Sequence, residues 1–121
     1  MNYNINLANQ VREALVHLAD VEEKEMFSGI CFMVNGKMCI CVSGTEMLCR
    51  IGAAQMENAL ENYYCRQMII NGRPSRDFIF VGEDGFTKKS DLDYWIKLAL
   101  DFNPIAKSSK KKTKSTSSKK G

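Results

Sequence analysis

Between Leu7 and Leu18 the apolar residues Leu7, Val11, Leu15 and Leu18 recur at intervals of four, four and three. That spacing holds side chains on one face of a helix, and Asn4 or Asn6 supplies its amino-terminal cap. The run Asp20 to Glu25 reads as a charged exit from this helix. Beyond it, residues 30–51 turn rich in Val, Ile, Met, Phe and Cys, punctuated by Asn35-Gly36 and Ser43-Gly44. Such pairs supply the positive backbone angles of tight hairpins, so three antiparallel strands are predicted near 30–34, 38–43 and 46–51.

After Gly52 the helical interval returns at Ala53, Met56, Leu60 and Tyr63, with Glu57, Asn58 and Glu61 on the polar side. Two further strands, 67–70 and 77–81, flank Asn71-Gly72-Arg73-Pro74, a turn or loop by its Gly and Pro. Ser90 and Asp91 then suit the start of a last helix, whose buried stripe is Leu92, Trp95, Ile96, Ala99 and Leu100 and which Asn103-Pro104 ends. The order is helix, three strands, helix, two strands, helix. Neighbouring strands without a crossover helix between them rule out a doubly wound parallel sheet, leaving a two-layer α+β domain with a mostly antiparallel sheet.

Alternation within the strands bears on what covers them. Met38, Ile40 and Val42 are read as facing one way and Cys39 and Cys41 the other, while Phe78 and Phe80 oppose Ile79 and Val81. A half-solvated strand alternates apolar with polar, so either helices cover both faces or a second subunit, in a homodimer, covers one.

Charge divides the chain where hydropathy does not. Lys107, Lys110, Lys111, Lys112, Lys114, Lys119 and Lys120 give residues 107–121 a charge of +7, and the total of +3 leaves residues 1–106 at −4. The expected organisation is an α+β domain over 1–106 and a disordered Lys/Ser-rich tail over 107–121. If those lysines meet nucleic acid, they do so as point charges on phosphate, without aromatic stacking or arginine forks to read bases. No apolar run is long enough for a membrane span and the amino terminus lacks a signal peptide's pattern, which points to a cytoplasmic protein.

Candidate chemistry is sparse. The five cysteines, Cys31, Cys39, Cys41, Cys49 and Cys65, lie in hydrophobic runs and read as buried, reduced thiols. Cys39 and Cys41 stand on one side of one strand, but structural zinc favours ligands two to four residues apart on turns. His17 is the sole histidine, within a helical segment and with no sign of an approaching cysteine. No phosphate loop or dinucleotide fingerprint is present, and no catalytic, cofactor or metal site is assigned. Arg50, Arg73 and Arg76, with Arg66, form a candidate anion or partner-binding group, because a guanidinium fork suits carboxylate and phosphate.

Met26-Phe27-Ser28-Gly29 resembles the Met-Phe-Gly-Gly signature of the TfoX/Sxy amino-terminal domain. Further resemblance runs through Phe32 to Met38, Leu48-Cys49-Arg50-Ile51-Gly52, Met68 to Phe78 and Asp91 to Leu100, covering nearly all of residues 7–102. It implies the same α+β element order, no enzymatic activity or cofactor, and a role in transcriptional regulation of DNA-uptake competence beside a cyclic-AMP-responsive regulator. Ser28 replaces the first glycine, which predicts a backbone angle relaxed from one that only glycine tolerates. Longer relatives carry a second domain where this chain has its lysine tail. Two functions follow: a non-enzymatic regulatory module contacting protein and, nonspecifically, nucleic acid, or a small-molecule or metal-handling protein using the cysteine-rich meander.

Overall fold

The computed structural model describes residues 3–26 and 28–107. Helix α1 (Ile5–Ala14) begins at Asn4, whose Oδ1 accepts the Leu7 amide at 3.1 Å. Four strands follow, β1 (Val21–Met26), β2 (Gly29–Val34), β3 (Lys37–Ser43) and β4 (Glu46–Arg50). Then come α2 (Ala53–Leu60), β5 (Cys65–Ile70), β6 (Arg73–Val81) and α3 (Lys89–Phe102). The α+β class and the helix–strands–helix–strands–helix order are those expected. All pairings are antiparallel, in the order β1-β2-β3-β4-β6-β5.

The strand count departs from expectation at residues 20–25. The stretch read as a charged helix exit is β1, which pairs along its whole length with β2. Its polar composition suits an edge strand, where charge discourages pairing with foreign strands. Arg12 fixes it to α1 by a forked contact with Glu23, at 2.6 and 2.8 Å.

Turns follow their residues. Asn35 and Gly36 (φ 55° and 76°) join β2 to β3, and Asn71 and Gly72 (φ 53° and 79°) join β5 to β6. Both are left-handed pairs that match the twist of a tight hairpin. Arg73-Pro74, read as loop, therefore opens β6. At its amino end α3 starts at Lys89 with no side-chain cap, so the Ser90 hydroxyl is not used there as expected.

All three helices pack on one sheet face, around Val11, Phe32, Ile40, Met56, Ile79 and Trp95. Of the stripe read for α2, Met56 is buried but Leu60 and Tyr63 are 38% and 83% exposed. The helix stops at Leu60, and Ala59 is the residue turned inward. On the opposite face Cys31, Cys41, Leu48 and Met68 form a smaller cluster under Met38, Phe78 and Phe80. Among the described residues no helix packs against it; Met38, Phe78 and Phe80 are the partly buried side chains on it.

A bulge sorts β3 onto these faces. Phe32 pairs with Ile40 but Met33 with Met38, which leaves Cys39 as the extra residue. Met38 thus joins the Cys41 face and Cys39 the helix-side core, reversing the alternation read from sequence. Phe78 and Phe80 do oppose Ile79 and Val81.

Asn103 locks the end of α3 to the β2–β3 hairpin. It is 3% exposed, donates through Nδ2 to the Val34 carbonyl at 3.0 Å and accepts from Asn35 Nδ2 at 3.0 Å. Lys37 Nζ donates to the Asn103 carbonyl at 2.9 Å, a cation on the negative end of the helix. Asn103→Ala removes the side-chain bonds to the Val34 carbonyl and to Asn35 Nδ2 that tie α3 to the hairpin, and urea unfolding is expected to report a loss of about 1–3 kcal/mol.

Candidate partner-binding surface and the cysteine-rich strands

Arg50 ends β4 with its side chain 11% exposed. Its Nη2 stands 3.4 Å from Asp77 Oδ2, while Nε is buried without a hydrogen-bond partner among the described residues. The guanidinium lies 5.3 Å from the Phe78 ring centre and 5.9 Å from that of Phe102, so aromatic faces supply much of its environment. Arg66 on β5 stacks on Phe80 at 4.2 Å and pairs with Glu46 at 2.6 Å.

The candidate arginines divide accordingly. Arg50 and Arg66 are engaged within the chain. Arg73 and Arg76, in the first half of β6, are exposed and have no ion pair among the described residues. Their strand shifts register opposite β5. Gln67 pairs with Ile79 but Ile69 with Pro74, and the Ser75 hydroxyl accepts the amides of Asp77 and Phe78 at 3.2 and 3.1 Å. Beside the arginines, Ile69 and Ile70 are 59% and 44% exposed, a feature the sequence reading missed because both sit in a run that looks like ordinary strand. Of the tail lysines only Lys107 lies within the described residues, where it is exposed; the other six fall outside them.

The cysteines require a correction. Register places Cys31 opposite Cys41, with a Cα separation of 4.0 Å, and the two are joined by a disulfide. They are not two of five reduced thiols, and the inference to a reducing compartment does not extend to this pair. Cys39, Cys49 and Cys65 are free and buried. The bulge puts Cys39 and Cys41 on opposite sheet faces, so the pair cannot converge on one ion from the same side of β3. Among the described residues no group of three or more His, Cys, Asp or Glu could hold a metal.

Burial raises the free thiols: Cys39 to about 12 and Cys65 to about 11, from an ordinary 9.0, and Cys49 upward as well. At neutral pH they are protonated, the poor-nucleophile form. His17 lies exposed in the turn after α1, as a surface histidine. The titration shift has a sign for stability. In the unfolded chain these thiols ionise near 9.0, in the folded chain only through about 11 to 12, so the folded state holds more protons between those limits. The stability these buried thiols contribute is fully present below pH 9 and is lost as pH rises through about 11 to 12. Urea midpoints compared at pH 8 and pH 10 are expected to be lower at pH 10, and replacing Cys39 and Cys65 by Ala should shrink the difference.

Among the described residues no helix is long and apolar enough to cross a membrane. No curated protein and no solved structure matches the chain. A family model, that of the TfoX N-terminal domain, matches residues 13–103. That span takes in every strand, α2, α3 and the arginines described above, and the chain belongs to the TfoX N-terminal domain family.

Proposed function

We propose that the chain is a non-enzymatic regulatory module that works by contacting acidic macromolecules, in the cytoplasmic setting of DNA-uptake competence that its family suggests. One observation carries the reading: Arg73 and Arg76 stand exposed without an ion pair beside exposed Ile69 and Ile70, on a domain whose other arginines are engaged. Guanidinium forks next to apolar surface are the residue types that protein interfaces favour. Arg50 supports the same end of the sheet from inside. Lys107, Lys110, Lys111, Lys112, Lys114, Lys119 and Lys120 add nonspecific contacts to nucleic-acid phosphate. A homodimer belongs to the same reading.

Capture from native lysate of the source cells tests it. The intact chain is expected to retain at least one specific protein that the double variant Arg73→Glu/Arg76→Glu does not. Repeated recovery of no macromolecule other than the chain itself counts against the reading, as does an identical set with both proteins.

A further inference from the structure

The end of α3 lies beside one edge of the sheet. Asn103 bonds the Val34 carbonyl and Asn35, and the Asn35 amide donates in turn to the Asp20 carbonyl at 3.0 Å. Val34 is also the partner of Val21, the first residue of β1. Asn103 is thus hydrogen-bonded to the very residues that hold the start of β1, and exposed Lys107 follows a few positions later.

Among the described residues β1 pairs on one side only, with β2, so the amides and carbonyls of its outer side have no strand to bond. Along this edge Asp20, Glu22, Glu23 and Glu25 outnumber Lys24, and all five are exposed. Arg12 holds Glu23, whereas Asp20, Glu22 and Glu25 have no ion pair among the described residues. On the other side of Asn103 the charge is reversed. The Phe102 ring lies against Gly52, whose amide bonds the Asp77 carbonyl. There Arg50 engages the Asp77 carboxylate, and Arg76, next in the chain to Asp77, is exposed and unpaired, as is Arg73. A cationic segment that starts beside Asn103 is repelled on that side and attracted towards β1.

Such a segment follows directly. Residues 108–121, outside the described residues, hold Lys110, Lys111, Lys112, Lys114, Lys119 and Lys120 and no acid. At about 3.3 Å per residue their contour is about 46 Å, against about 20 Å for the six residues of β1. We propose that the outer edge of β1 is the docking site for this chain's own residues 108–120, with lysine ammoniums on the carboxylates of Asp20, Glu22 and Glu25. Charge, reach and the place where the segment starts select that occupant. While docked, the lysines are not free to neutralise phosphate, so the edge competes with nucleic acid for them. The contact itself does not depend on the partner-binding reading, because no second macromolecule takes part.

Amide NMR of the full chain at about 20 mM salt is the test, where charges are little screened. Its companion is a full-length variant carrying Lys110→Gln, Lys111→Gln, Lys112→Gln, Lys114→Gln, Lys119→Gln and Lys120→Gln. The amides of residues 20–25 are expected to differ between the two proteins, and the difference to vanish at about 500 mM salt, where the Debye length falls to about 4 Å. Glu22→Gln/Glu25→Gln, at exposed positions, is expected to remove most of the difference and to speed tryptic cleavage after Lys110, Lys111 and Lys112 about 3-fold or more at low salt. Circular dichroism checks that each variant is folded. Identical β1 amides in the two proteins at low salt overturn the proposal, as do differences largest at Glu57 and Glu61, on the α2 side of the sheet. Differences that grow with protein concentration overturn it too, because the segment would then be docking on a second copy.

Discussion

Gly29→Ala is expected to cost more than about 4 kcal/mol or to abolish folding, at the far end of single-residue effects. Gly29 opens β2 opposite Ser43, and a Cβ there would overlap the Val42 carbonyl oxygen and lie 3.0 Å from the Ser43 Cα. Both are backbone atoms of a central strand, which cannot yield as a flexible side chain would. Relief requires β2 and β3 to part, and their separation exposes Phe32, Ile40 and the Cys31–Cys41 pair. Urea unfolding, or the soluble yield if the variant does not fold, reads the outcome. A variant within about 1 kcal/mol of the parent would contradict the close approach described.

Trp95→Ala is the second large loss, about 3–5 kcal/mol from the cavity alone. Trp95 is 2% exposed at the centre of the helix-side core, edge-on to Tyr64 and Tyr94 with ring centres 6.5 and 5.0 Å away. Its Nε1 donates to the Gly85 carbonyl at 3.0 Å, tying α3 to the short 3-10 helix Glu83–Phe86. Gly85 is itself closely packed: a Cβ there would stand 2.6 Å from Val81 and 2.7 Å from the Tyr64 ring. Trp95→Phe keeps most of the volume and gives up the hydrogen bond, so a smaller loss of about 1–3 kcal/mol is expected. Equal losses for the two variants in urea unfolding would show that the cavity adds nothing to the lost hydrogen bond and would contradict the packing role given to Trp95.

Where local rules act on their own, the sequence was a reliable guide. The Asn-Gly hairpin at 35–36, the Asn4 cap and the end of α3 at Asn103-Pro104 depend on backbone angles and neighbouring amides, and all are present. What depends on pairing was not legible. β1 has the composition of a solvated helix exit and becomes a strand because β2 offers it an edge. One bulge at Cys39 exchanged the faces of Met38 and Cys39, since a shift of one residue turns a strand's side chains over. That exchange and the register of Cys31 with Cys41 undid the reading of the cysteines together.

Ser28 shows the same limit at one residue. Its φ of 58° is left-handed, so the angle at the signature's first glycine is kept rather than relaxed. Ser28→Gly is expected to stabilise the fold by about 0.5–1 kcal/mol. In the candidate surface, the arginines were visible from sequence but their division was not. Arg50 became interior through Phe78 and Phe102, residues distant in sequence, whereas Arg73 and Arg76 stayed on the surface.

The proposal that the lysine tail, rather than the domain, contacts nucleic-acid phosphate is tested most directly by duplex binding. The intact chain and a 1–106 truncation are titrated onto unrelated DNA duplexes at about 50 and 200 mM salt, where each neutralised phosphate contributes a slope of about −0.9. The account predicts weak, sequence-independent binding by the intact chain that falls steeply with salt, and loss of that binding in the truncation. Sequence preference retained by the truncation would contradict it, because recognition would then lie on the acidic domain.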